Sequence, residues 1–141
     1  MKKIIINILV YPKKLFLVDG AGALLSAFLL GIVLVQYEDV FGIPIKILHF
    51  LALLPCFFLV YDLLCYFFVN KNLDYFLKII AVLNFLYCLI SIGLISYHYQ
   101  QITDLGWAYI FCEIIIILIL VIAELKAATR FKMKKSRRNR L

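Results

Sequence analysis

A chain of 141 residues that is 66% hydrophobic, with a mean hydropathy of +1.04, cannot hide its apolar side chains in a water-soluble core. Soluble domains are only about half apolar, so most of this surface is expected to face lipid. The net charge of +7 resembles that of a nucleic-acid binder until the charges are located: fourteen of the fifteen Lys and Arg lie in the two tails or around the central loop.

Residues 1–14 carry Lys2, Lys3, Lys13 and Lys14 around the short apolar run Ile4–Tyr11. A signal peptide shares that layout, but no small-residue cleavage site follows and the next apolar run begins at once. The segment is expected to stay on the protein and lie at the membrane interface. Leu15 to Val35 is the first predicted span. Its small residues recur at helical spacing (Gly22 and Ser26; Ala23, Ala27 and Gly31), which lets helix backbones approach closely. Asp19 shares that inward side. The turn that follows, Gln36 to Pro44, has Gly42 for a tight bend and Pro44 at the first position of the next helix.

The second span, Pro44 to Val69, has Pro55 at its middle, with Asp62 and Tyr66 one turn apart. Neighbouring helices can compensate for the hydrogen bond that Pro55 removes. After the polar break Asn70–Asp74, the third span runs from Tyr75 to Tyr97, with Asn84, Tyr87, Cys88 and Ser91 on one face. The turn His98–Asp104 offers Thr103 or Asp104 as a cap. The fourth span, Leu105 to Leu125, places Gly106, Tyr109, Glu113, Ile117, Leu120 and Glu124 on one side. The tail from Lys126 is expected to fray.

These elements predict an all-α integral membrane protein, a four-transmembrane-helix bundle that uses up the length as one domain. The loops at the far ends of the spans hold only Lys46 among basic residues, beside Glu38, Asp39 and Asp104. The positive-inside rule then puts both termini in the cytoplasm of a multi-pass inner-membrane protein. Tyr37, Phe41, Tyr97, Tyr99 and Trp107 form the expected outer aromatic belt.

Each span carries a polar group where lipid tolerates few. A carboxylate at mid-membrane costs about 2.5–3.5 kcal/mol on insertion scales unless it faces a partner or a wet cavity. From the span midpoints, Asn84 and Glu113 lie within roughly 5 Å of the midplane, and Asp62 and Asp19 about 8–9 Å to its cytoplasmic side. No Lys or Arg shares that depth. Two such carboxyls close together can share a proton, or bind a proton, metal ion or amine. Asp19, Asp62, Asn84 and Glu113, with Tyr66, Tyr87 and Tyr109, are therefore the candidate ligand-binding residues. The alternative is that they hydrogen-bond one another and hold the helices together. Glu124 is expected near the inner interface, paired with Lys126 or with the positive tail.

The remaining features have simpler explanations. His49 and His98, near outer carboxylates, are weak candidates for a metal site, because no zinc motif accompanies them. Amphipathic interfacial histidines explain them more simply. Cys56, Cys65, Cys88 and Cys112 show no disulfide or Cys-x-x-Cys spacing and read as packing residues. Lys132, Lys134, Lys135, Arg137, Arg138 and Arg140 directly follow a span, where anionic lipid headgroups are the expected partner, and no nucleic acid is expected. No cofactor is expected, and no Gly-rich phosphate loop or Gly-x-Ser-x-Gly motif is present.

In its layout, and in stretches such as Val18-Asp-Gly-Ala-Gly and Tyr61-Asp62, the chain resembles the small four-span inner-membrane proteins of bacteria, a resemblance that brings no activity with it. Four-helix drug exporters keep a lone membrane Glu in the first span. Here that span holds Asp19 and the mid-membrane Glu is in the fourth, so their function does not carry over. Three readings follow: binding or transport of a small ligand, cation or proton; an accessory or scaffold subunit, in a homodimer or a larger membrane complex; and an enzyme acting on a lipid within the bundle. Binding or transport ranks first and the enzyme last.

Overall fold

The computed structural model describes residues 2–3 and 12–140, so Met1 and 4–11, the bulk of the expected interfacial segment, lie outside the described residues. Helix α1 runs Pro12–Phe28 and continues through a π-helical turn, Leu29–Val33, to Leu34–Gln36. A one-turn helix, Glu38–Phe41, leads to α2 (Ile45–Phe68), α3 (Leu73–Tyr97) and α4 (Asp104–Arg140). All four long helices have the length and hydropathy to cross a membrane. A helix satisfies its own backbone without water, which is why such apolar runs take this form. Their outward side chains suit lipid: Phe57, Phe67, Phe68 and Ile119 are all exposed.

The helices pack as two hairpins. α1 lies tightly along α2, and α3 along α4, while the two pairs meet across a looser seam. Small residues set the first pairing: a Cβ at Gly20 would stand 3.4 Å from the Asp62 Cβ, and one at Gly31 would stand 3.3 Å from that of Ala52. The expected small-residue stripe is thus shared out. Gly31 meets α2, whereas Gly22 turns to Leu120 of α4.

Both ends of the seam are clamped. At one end the two loops dock on each other. Gly42 adopts a left-handed φ of 68°, and a Cβ there would fall 2.2 Å from the Gln101 carbonyl. Thr103 caps α4 by accepting from the Gly106 N–H and also donates to the Val40 carbonyl. Pro44 precedes α2 as its N-cap, one residue outside the expected position, and its carbonyl accepts from Ile47 and Leu48. At the other, basic end, Lys13 donates to Asn70, Lys135 to Asn72, and the Tyr61 hydroxyl to the Phe76 carbonyl.

Two corrections concern α4. It does not end at Leu125 or fray beyond it but stays helical to Arg140. Ala127 and Ala128 are fully buried, and Phe131 packs beside them, because small side chains there let α4 close on α1 and α3. At its other end the backbone of Gly106 touches the Phe41 carbonyl, 2.2 Å from where a Cβ would stand. Gly106→Ala should therefore force the loops apart and lower stability by about 1–3 kcal/mol, as overpacking does. Gly93→Ala, whose Cβ meets nothing within 4 Å, should leave the unfolding midpoint in detergent unchanged or raise it.

The apolar core divides in two. One cluster, including Leu30, Leu34, Leu48, Leu51 and Ile110, lies toward the docked loops, and the other, including Leu15, Phe16, Leu77, Ile80 and Ala128, lies toward the basic end. Most of the buried polar residues occupy the stretch between them.

Candidate functional site

The register of α1 against α4 explains the arrangement of that polar stretch. The two helices run antiparallel, with Gly22 opposite Leu120. Asp19, one turn before Gly22, then falls toward Glu124, one turn beyond Leu120. Ser26, one turn after Gly22, falls toward Glu113. Glu113 and Glu124 share a face of α4 but stand eleven residues apart, roughly 16 Å along the axis. The polar residues therefore form two layers.

The layer nearer the docked loops is built around Glu113, which is 6% exposed. The Tyr87 hydroxyl donates to Glu113 Oε1 at 3.2 Å, while Oε2 has no hydrogen-bond partner among the described residues. Tyr109 and Ser26 flank the carboxyl. Ser91, one turn from Tyr87, is fully buried, and its hydroxyl has no hydrogen-bond partner among the described residues.

The layer nearer the basic end joins all four helices. The Asn84 amide donates to both Asp19 oxygens, at 3.0 and 3.1 Å, and so ties α3 to α1 across the seam. Asp62 of α2 faces Asp19, and Glu124 of α4 faces both Asp19 and Asn84. Asp62 and Glu124 are 0% exposed, and among the described residues neither carboxyl has a hydrogen-bond partner. Carboxyls buried without partners are costly, and a fold that keeps them pays that cost for stability or for a task.

A cleft of about 160 Å³ connects the layers. Its polar lining is Asp19, Ser26, Asn84, Tyr87, Tyr109 and Glu113, and its walls include Leu25, Leu29, Phe58, Ile116, Ile117 and Leu120. No family model, no curated protein and no solved structure matches this chain. The site must therefore be judged on its own chemistry: a desolvated cleft with acceptor oxygens on its floor, suited to a proton donor or a small cation.

Five of the seven expected ligand-binding residues line this cleft: Asp19, Asn84, Tyr87, Tyr109 and Glu113. Asp62 does not, because it is turned against Gly20 at the α1–α2 contact and reaches the site only through Asp19. Tyr66 is not part of it either. One turn beyond Asp62, it packs into the apolar cluster at the basic end and edges against Phe67. Glu124 is not paired with Lys126 among the described residues. Because α4 remains packed through Ala128, Glu124 lies inside the bundle.

The metal candidates are not brought together. His49 is exposed on α2, the His98 ring contacts the Leu94 carbonyl, and no cluster of three His, Cys, Asp or Glu forms among the described residues. Cys56 and Cys112 are exposed, unlike the buried Cys65 and Cys88. Leu25 and Ile116, which form the mouth of the cleft, are ordinary outward apolar residues that no sequence pattern singles out. The π-helical turn at Leu29–Val33 lies beside it, and a turn of this kind often marks a functional position in a helix.

Proposed function

We propose that this is a polytopic inner-membrane protein that binds a small cationic or proton-donating ligand at the carboxyls of its seam, as a transporter would. One observation carries the reading: Glu113 lines a desolvated cleft, beside Ser26, with an oxygen that makes no hydrogen bond among the described residues. Intramembrane ionisable residues mark function by default, and here the acceptor is already positioned by Tyr87. Native mass spectrometry of gently extracted protein tests it. A discrete bound mass present in the wild type and lost in Glu113→Gln is the expected result. Equally folded samples with no bound mass would remove a tight-binding site.

The accessory or scaffold reading is favoured by a different observation, the Asn84–Asp19 pair that ties one hairpin to the other. In that case the polar groups serve assembly and the same variants weaken it.

The proposed orientation places both termini, the central loop and the basic end of α4 in the cytoplasm, where the basic side chains meet anionic headgroups. A green fluorescent protein fused after Leu141 should fluoresce, and alkaline phosphatase inserted at Asp39 should be active. The reverse pattern would invert the topology and place the carboxyl layer of Asp19, Asp62 and Glu124 in the outer half of the membrane.

A further inference from the structure

We infer that the ligand enters sideways from the bilayer, between α1 and α4, and is a single-chain amphiphile with a primary-amine head. This deepens the proposal above and rests on it. The axial routes are closed. Toward one end lie the apolar cluster of Leu30, Leu34 and Ile110 and the docked loops, and toward the other Leu15, Phe16, Leu77 and Ala128, none more than 1% exposed. The cleft opens instead at the helix surface, where Leu25 and Ile116 are each 59% exposed and Cys112 is exposed beside them. In a membrane that surface meets acyl chains.

The chemistry of the cleft changes from mouth to floor. A hydrocarbon tail matches Leu25, Ile116 and Leu120, while the floor presents acceptors, Glu113 Oε2 foremost, to a donor with positive charge. A primary ammonium has three N–H donors and no acceptor, so it can satisfy Glu113 and still reach the Ser26 hydroxyl. An anionic head would meet two carboxyls instead. The volume limits the rest of the molecule. About 160 Å³ corresponds to roughly five waters' share of liquid volume. That is room for a head and a few carbons, with the tail emerging through the mouth, and a phosphate beside the amine would bring negative charge to a floor that already holds two carboxyls.

The test uses the full chain in phosphatidylcholine nanodiscs, with empty nanodiscs to subtract partition. The probes are labelled decylamine, decanoate and ethylamine. Decylamine should bind saturably at one per chain, decanoate should not, and ethylamine should bind at least tenfold more weakly. Glu113→Gln should weaken decylamine at least tenfold. Ile116→Trp, which plugs the mouth at an exposed position where folding tolerates it, should do the same. Ile119→Trp, equally exposed but outside the cleft, should bind as the wild type does. If ethylamine binds as tightly as decylamine and Ile116→Trp is harmless, lateral entry fails while a carboxyl pocket survives. If decylamine does not saturate, or binds Glu113→Gln unchanged, the inference fails, and the pocket itself is then judged by the bound mass in native mass spectrometry.

Discussion

Glu113→Gln should cost the protein its ligand and leave its fold intact. A hydrogen bond to a charged group contributes about 1.5–3 kcal/mol, so losing the charged acceptor should weaken binding by about ten- to a hundredfold. The fold should tolerate the change because the amide oxygen still accepts from the Tyr87 hydroxyl, which now bonds Oε1 at 3.2 Å. The amide nitrogen occupies the place of Oε2, which makes no hydrogen bond among the described residues. Tyr87→Phe is the informative companion. It removes the Tyr87 hydrogen bond to the carboxyl, worth about 0.6–1.7 kcal/mol within a bundle, and should weaken binding less than Glu113→Gln does. Thermal unfolding in detergent, run beside the binding assay, separates the two effects. If Glu113→Gln unfolds as readily as it loses ligand, Glu113 is a structural residue and the accessory reading gains.

What the sequence made legible follows a physical division. Long apolar runs with few charges must be helices in lipid, and their number and order were readable. Burial of Asp19, Asn84 and Glu113 followed from the need to keep polar groups off lipid. Gly42 and Thr103 were readable because a tight turn and a helix cap depend on local chemistry. Pairing was not readable. Nothing in the 3.6-residue period says that α1 lies along α2 with Gly20 against Asp62, so the partition of the polar groups into two layers was hidden. Tyr66 looked like a partner of Asp62 because a turn separates them, yet on α2 the residue above Asp62 packs into an apolar cluster. The full burial of Glu124 was hidden for the opposite reason. Lys126 beside it looked like the end of the span, but Ala127 and Ala128 are small enough to continue the contact, and burial extends past the first positive charge. The π-helical turn at Leu29–Val33 has no proline or charged residue to mark it.

Both oxygens of Glu124 are buried and have no hydrogen-bond partner among the described residues. Glu124→Leu replaces the carboxyl with an apolar side chain of similar length. A buried polar group without a partner costs about 1–3 kcal/mol, so the variant should be more stable by an amount in that range, with a higher unfolding midpoint. Asp62→Asn should move the same way for a related reason. The amide can donate to the Asp19 carboxyl that now faces the Asp62 carboxyl, giving one defined hydrogen bond without a second acid. These signs separate the readings. If the acid layer exists to hold helices together, removing an acid must destabilise, and both variants should unfold earlier or lose a partner subunit. If it exists to take up a proton or a cation, the variants should unfold later and retain less ligand at Glu113, because Asp19 links the acid layer to the cleft. A rise in midpoint with a loss of retention would mark stability given up for a task. A fall in midpoint with retention intact would assign the layer to assembly and leave Glu113 alone as the functional carboxyl.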